Sequence, residues 1–167
     1  AYTEWQQFLE SIYFFVLTFI REPLVPMKYF DVFNGDADGI CALHQLRLAH
    51  PVESTLVTGV KRDISLLKQV VAGAGGRVTV LDVSLDKNRE DLLRVLDAGA
   101  SVSYFDHHYA GEIPASDALE CHIDTDANIC TSLLVNLYLD GKYLPWAVTA
   151  AFGDNLFASA EATAEPL

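Results

Sequence analysis

Apolar and polar positions along the chain follow two rhythms, a period near two over short runs and a helical period over longer ones. Residues 29–33 form a short apolar run broken only by Asp31, which predicts a buried strand. Residues 39–49 set Ile40, Leu43, Leu46 and Leu48 at helix-compatible spacing, and residues 54–57 read as a second strand. Asp63 is placed to cap a helix over 63–71, with Ile64, Leu67 and Val70 on one face and the glycines of 73–76 ending it. A third strand, rich in β-branched residues, is expected at 77–81. Asp86 is placed to cap a helix to about Leu96, Gly99 follows it, and 101–105 reads as a fourth strand. Two further helices are expected over about 126–139 and 145–152, and 158–164 reads as a small, polar tail or truncated linker. Alternating β and α units of this length predict an α/β fold, a parallel sheet with helices on both faces.

The first 26 residues stand apart from that alternation. The run 12–20, IYFFVLTFI, is shorter than the roughly 20 apolar residues that span a bilayer. Glu4 and Glu10 precede it and no basic residue does, so it does not have the form of a secretory signal, and no transmembrane span is expected. The single methionine is Met27, directly before the first strand, which points to a domain beginning there and to residues 1–26 as an extension of uncertain origin. A second reading stays open: Trp5, Phe8, Leu9, Ile12 and Tyr13 have the spacing of an amphipathic helix that docks on a partner or on a second copy of the chain.

Composition narrows the function classes. A chain of 167 residues, 51% of them hydrophobic, is long enough for one domain with a real core. The 11 Lys+Arg against 23 Asp+Glu give a formal net charge of -12, so no general basic surface exists to hold long nucleic acid. Cys41, Cys121 and Cys130 are widely spaced and make no zinc-ligand pattern; they read as reduced thiols of a cytoplasmic protein.

Chemistry collects where the strands end. In an open α/β sheet, ligands sit beyond the carboxyl ends of the strands. The first strand runs into Asn34-Gly35-Asp36-Ala37-Asp38-Gly39, the third into Asp82, and the fourth into Asp106-His107-His108; Asp154 follows in a later AFGDN segment. Each piece alone reads as a turn or a helix cap. Together they would repel one another unless divalent cations intervene. Carboxylate oxygens with imidazole suit Mn²⁺ best and Mg²⁺ acceptably, and two such ions about 3.5–4 Å apart would make a phosphoryl-transfer centre. Gly35 and Gly39 let the backbone turn sharply there and let a helix N-terminus approach phosphate.

NGDADG, LDVS, FDHH and AFGDN, in that order from Tyr29 to Asn155, resemble the four motifs of the DHH phosphoesterase superfamily. Its members include single-strand DNA exonucleases, oligoribonucleases, cyclic dinucleotide phosphodiesterases and polyphosphate or pyrophosphate hydrolases. The resemblance implies a DHH catalytic domain over residues 27–157 that hydrolyses phosphodiester bonds of short nucleotides, such as a short oligonucleotide or a cyclic dinucleotide. It implies Asp36, Asp38, Asp82, His107 and Asp154 as ligands of two cations. It also implies Asp106 as the support of His107, and His108 as the group beside the scissile phosphate.

Two departures stand beside the resemblance. Asn34 occupies a place where many relatives carry histidine or aspartate. The smaller C-terminal substrate-binding domain of relatives is absent before Leu167, so the chain reads as a fragment, one that binds metal and turns over slowly. Polyphosphate or pyrophosphate hydrolysis is the alternative within the same chemistry, and a metal-binding regulatory module without turnover is the alternative outside it. A phosphoacceptor receiver domain is disfavoured by the paired histidines and by the lack of a lysine at a late strand end. Lys61 and Arg62 read as a solvated loop, and Asp124 or Asp126 as a helix cap, with Thr131 and Ser132 as candidates for substrate-side support.

Overall fold

Five runs of largely β-branched and aromatic residues pair into one sheet: β1 (Tyr29–Asn34), β2 (Thr55–Gly59), β3 (Arg77–Leu81), β4 (Ser101–Asp106) and β5 (Leu119–Ile123). The order is β2-β1-β3-β4-β5 and all four pairings are parallel. The computed structural model describes residues 5–6, 27–60 and 62–166. The expectations for residues 1–26 therefore lie outside the described residues except at Trp5 and Gln6, and that for Lys61 lies outside them too.

Side chains alternate across the sheet and give each face its own core. Phe30, Val32, Val78, Val80, Val102 and Tyr104 pack with α2 (Leu85–Asp97), through Leu85, Leu92 and Val95, and with Leu66, Leu67 and Val70. Phe33, Leu81 and Phe105 meet Leu43 and Leu46 of α1 (Ala37–Ala49) and Val135 of α3 (Thr131–Tyr138). Outside α1 and α3 lie α4 (Leu144–Gly153) and α5 (Phe157–Ala164), joined through Cys41, Cys130, Ala147, Ala150, Ala151 and Ala160. The α/β class, the parallel sheet and the helices on both faces are as the alternation predicts.

The strand order matters for function. β2 lies on one side of β1 and β3 on the other, so the chain reverses direction across the sheet between β1 and β3. The connections leave on opposite faces there, and a crevice opens at the carboxyl ends of those two strands. Asp31, the one polar interruption in β1, is buried yet satisfied: Arg47 of α1 donates to both carboxylate oxygens, and Ser54 Oγ donates to one of them at 2.6 Å.

The elements differ from the sequence reading in several places. The helix expected over 63–71 is a single 3-10 turn, Leu67–Gln69. Its backbone groups are served by side chains of α2 instead. Asn88 donates to Ile64 O at 2.6 Å and accepts from Leu67 N at 3.2 Å, while Arg94 donates to Leu67 O and Val70 O. Asp63 therefore caps nothing helical. The helix of 85–97 begins at Leu85 rather than after Asp86, whose carboxylate pairs with Lys87 and Arg89. The stretch 119–123, not read as a strand, pairs with β4 at the sheet edge. The helix expected from Asp126 starts only at Thr131; Asp124 and Asp126 hold turns by accepting from Asp126 N and Asn128 N. The tail expected at 158–164 is helical, with Ala160 buried. No helix among the described residues is long and apolar enough to cross a membrane.

Candidate metal centre

At the end of β1 the backbone turns through Gly35 into α1. Asp36 is the N-cap of that helix, accepting from Gly39 N at 3.3 Å. A Cβ on Gly39 would collide with the Asn34 carbonyl, so only glycine lets the helix start this close to the strand end. Asp38, in the first turn, is 1% exposed. Its two oxygens accept from Thr131 N at 2.8 Å and Ser132 N at 2.7 Å, the first amides of α3. Ser132 Oγ returns a bond to Asp38 O at 2.9 Å. The N-cap residue of α3, Cys130, makes no side-chain capping bond to that helix, so Asp38 caps it from 93 residues away in sequence.

At the end of β3, Asp82 adopts a left-handed backbone (φ 56°), a conformation that aspartate tolerates better than most residues. Asp82 N donates to Phe105 O at 3.0 Å, and the buried Tyr104 hydroxyl donates to Val83 O at 2.6 Å, which holds the bend. The carboxylate, 3% exposed, turns toward β4.

There, beyond Asp106, His107 Nδ1 lies 3.1 Å from Ile129 O. With a proton on that nitrogen, Nε2 is left facing three carboxylates: Asp82 Oδ1 at 3.4 Å, Asp154 Oδ2 at 3.8 Å and Asp38 Oδ2 at 4.0 Å. Asp154 follows the end of α4, where Gly153 lies against Ala37 so closely that a Cβ would collide. Asp106 is fully buried, and its observed partner is His108, whose Nδ1 lies 2.7 Å from Asp106 Oδ1; the support of His107 comes from Ile129. The second oxygen of Asp106 has no partner among the described residues.

Protonation reflects this crowding. Burial first, then the neighbouring Asp38 and Asp36 charges, push Asp82 up to about 7 against the pull of His107. Burial alone would lower His107, but the Asp82 bond and the Asp38, Asp82 and Asp154 charges raise it to about 9. Asp38 is raised by burial in spite of its amide donors, and His108 is raised by its bond to Asp106. Burial and the Asp38 charge push the Cys130 thiol far up.

The donor set fits a hard divalent cation. Donor atoms about 2.0–2.6 Å from a shared ion lie roughly 3–5 Å from one another. Donors of Asp38, His107 and Asp154 lie within 4.8 Å of one another, and so do donors of Asp82, His107 and His108. His108 Nδ1, 3.8 Å from Asp82, belongs to Asp106 as it stands, so the carboxylates around His107 form the better cage. Asp36 is outside both groups and acts on them through its charge. Sequence reasoning named every side chain of the cage. It missed what orients them: the α3 amides on Asp38, the Thr131 hydroxyl 3.4 Å from Asp82, the Ile129 carbonyl and the Tyr104 hydroxyl. Thr131 and Ser132 face the carboxylates of Asp38 and Asp82 rather than open solvent.

No family profile and no curated protein matches the chain. Solved structures do. The exonuclease RecJ bound to manganese is similar at 17% identity and a TM-score of 0.50, over 87% of this chain and 44% of that one. RecJ from Thermus thermophilus in complex with Mn²⁺ is similar at 20% identity and a TM-score of 0.44, over 81% of this chain and 22% of that one. The chain shares the fold of the first of these structures. The chain spans less than half the length of these structures.

Proposed function

We propose that the chain is a divalent-metal-dependent phosphoesterase domain, hydrolysing phosphodiester bonds of short nucleotides with Mn²⁺ preferred and Mg²⁺ accepted. One observation carries this reading: Asp38, Asp82 and Asp154, from three separate segments, converge on Nε2 of His107 at the carboxyl ends of the strands. Donors of Asp38, His107 and Asp154 lie close enough to share one cation, and donors of Asp82, His107 and His108 close enough to share another.

Asp38, Asp82, His107 and Asp154 would hold the metal, with Asp36 beside them as a further ligand. A pair of ions bound there supplies charge to polarise phosphate and to make water nucleophilic. The chain's own residues do the remainder. The α3 amides keep Asp38 in one orientation before metal arrives. The Ile129 carbonyl keeps the His107 proton on Nδ1 and Nε2 turned inward. His108, held by Asp106 and half exposed to the crevice, is positioned to protonate the leaving oxygen. Its raised pKa keeps a share of it protonated near neutrality.

A product assay tests the reading. With Mn²⁺, a short oligonucleotide should release nucleoside monophosphate, and His108→Ala should slow release about 10²-fold or more while leaving Mn²⁺ binding within a few-fold. Release of orthophosphate from pyrophosphate, with the oligonucleotide untouched, would move the chain to the anhydride hydrolases.

A further inference from the structure

Beside the candidate metal cage, and sharing Asp82 with it, lies a hollow of about 140 Å³. Asp82 and His108 form one wall, and Asn34, Asp63, Ile64, Val83 and Ser84 form the rest. It occupies the space over β1 and β3 where the strand order reverses. The side chains of Asn34, Asp63 and Ser84 make no hydrogen bond or ion pair among the described residues. Three polar groups with unused hydrogen-bonding capacity thus face one small space next to the reaction centre.

We propose that this hollow seats the ribose of a ribonucleotide substrate, with Asp63 accepting from its 2′-hydroxyl and Asn34 and Ser84 completing the contacts. The assignment rests on the phosphoesterase reading and names the substrate class of that same site. Its volume of about 140 Å³ is ample for a sugar ring. Ile64 offers an apolar surface to a ring face. The Asp63 carboxylate would repel a second phosphate, and no basic side chain among the described residues lines the hollow. A base is excluded because no Phe, Tyr or Trp lines the hollow for stacking, so the base points outward. An acidic side chain beside a phosphate-binding crevice is a well-founded acceptor for a ribose hydroxyl. The consequence is discrimination: hydroxyl-pairing sites reject the analogue without the hydroxyl because their polar groups are then left unpaired.

The test is a calorimetric titration of the full chain, loaded with Mn²⁺, with adenosine 5′-monophosphate and with its 2′-deoxy analogue. The ribonucleotide should bind about tenfold or more tightly, the effect of one hydrogen bond to a charged group. Asp63→Ala, an exposed position outside the cage, should bring the two within about threefold by weakening the ribonucleotide alone, and Asn34→Ala should do so in part. Equal affinities in the wild-type chain, or a preference that survives Asp63→Ala, would overturn the ribose assignment and leave the phosphoesterase reading standing. Failure of the Mn²⁺-loaded chain to bind either nucleotide would overturn both.

Discussion

His107 and Asp82 each keep a proton in the folded, metal-free chain that the unfolded chain gives up. For Asp82 the window runs from 3.8 to about 7, and for His107 from 6.5 to about 9. In both windows the native state binds more protons than the unfolded one, so stability falls as pH rises through them. His107 contributes stability that is complete below its unfolded pKa and lost toward pH 9. Asp82 adds a cost that grows above pH 4 and is complete above about 7. In chelator, the melting temperature should therefore fall from pH 5 to pH 9, and Asp82→Asn should flatten the lower half of that fall. A wild-type fall that Asp82→Asn leaves unchanged would contradict this account of the residue. Metal replaces those protons, so Mn²⁺ affinity should rise with pH over the same range.

At the scale of elements, the stretch between β2 and β3 shows most clearly how packing overrides pattern. Ile64, Leu67 and Val70 have helical spacing, yet the backbone is held by Asn88 and Arg94 reaching across from α2. Asn88→Ala leaves the Leu67 amide and the Ile64 carbonyl without their partner. It should cost about 1–3 kcal/mol in denaturant unfolding. A loss below about 0.5 kcal/mol would mean that the stretch holds itself. Such side-chain service is invisible to periodicity, which records only which positions are apolar. β5 escaped for a different reason. Leu119, Cys121 and Ile123 alternate correctly but are only partly buried, as an edge strand allows, and Glu120 and His122 between them read as loop. The four strands with strong β-branched runs, and the helices α1, α2 and α4, were legible because two cores demand apolar residues at those positions. At the candidate site, the acids and the imidazole that come together were legible because they stand at strand ends in a pattern that suits a metal. Their orienting partners were not, since three of the five are backbone amides or carbonyls that any residue supplies.

At the scale of the whole molecule, one topological fact organises the rest. The strand order reverses between β1 and β3, so the chain ends that follow those strands flank a single crevice. The turn after β1 brings Asp36 and Asp38 there, the bend after β3 brings Asp82, the end of β4 brings the histidines, and α4 packs close enough on α1 to bring Asp154. A net charge of -12 suits this arrangement, because the cations rather than basic side chains would meet the phosphate. The arrangement carries the central claim, that these four segments make a metal centre. Calorimetric titration of Mn²⁺ into the chain tests it most directly, beside Asp82→Asn and His107→Ala. Close to two ions per chain should bind to the wild type, and each variant should lose at least one of them or weaken by about 10-fold or more. No binding at millimolar Mn²⁺, or variants that bind as the wild type does, would contradict the claim.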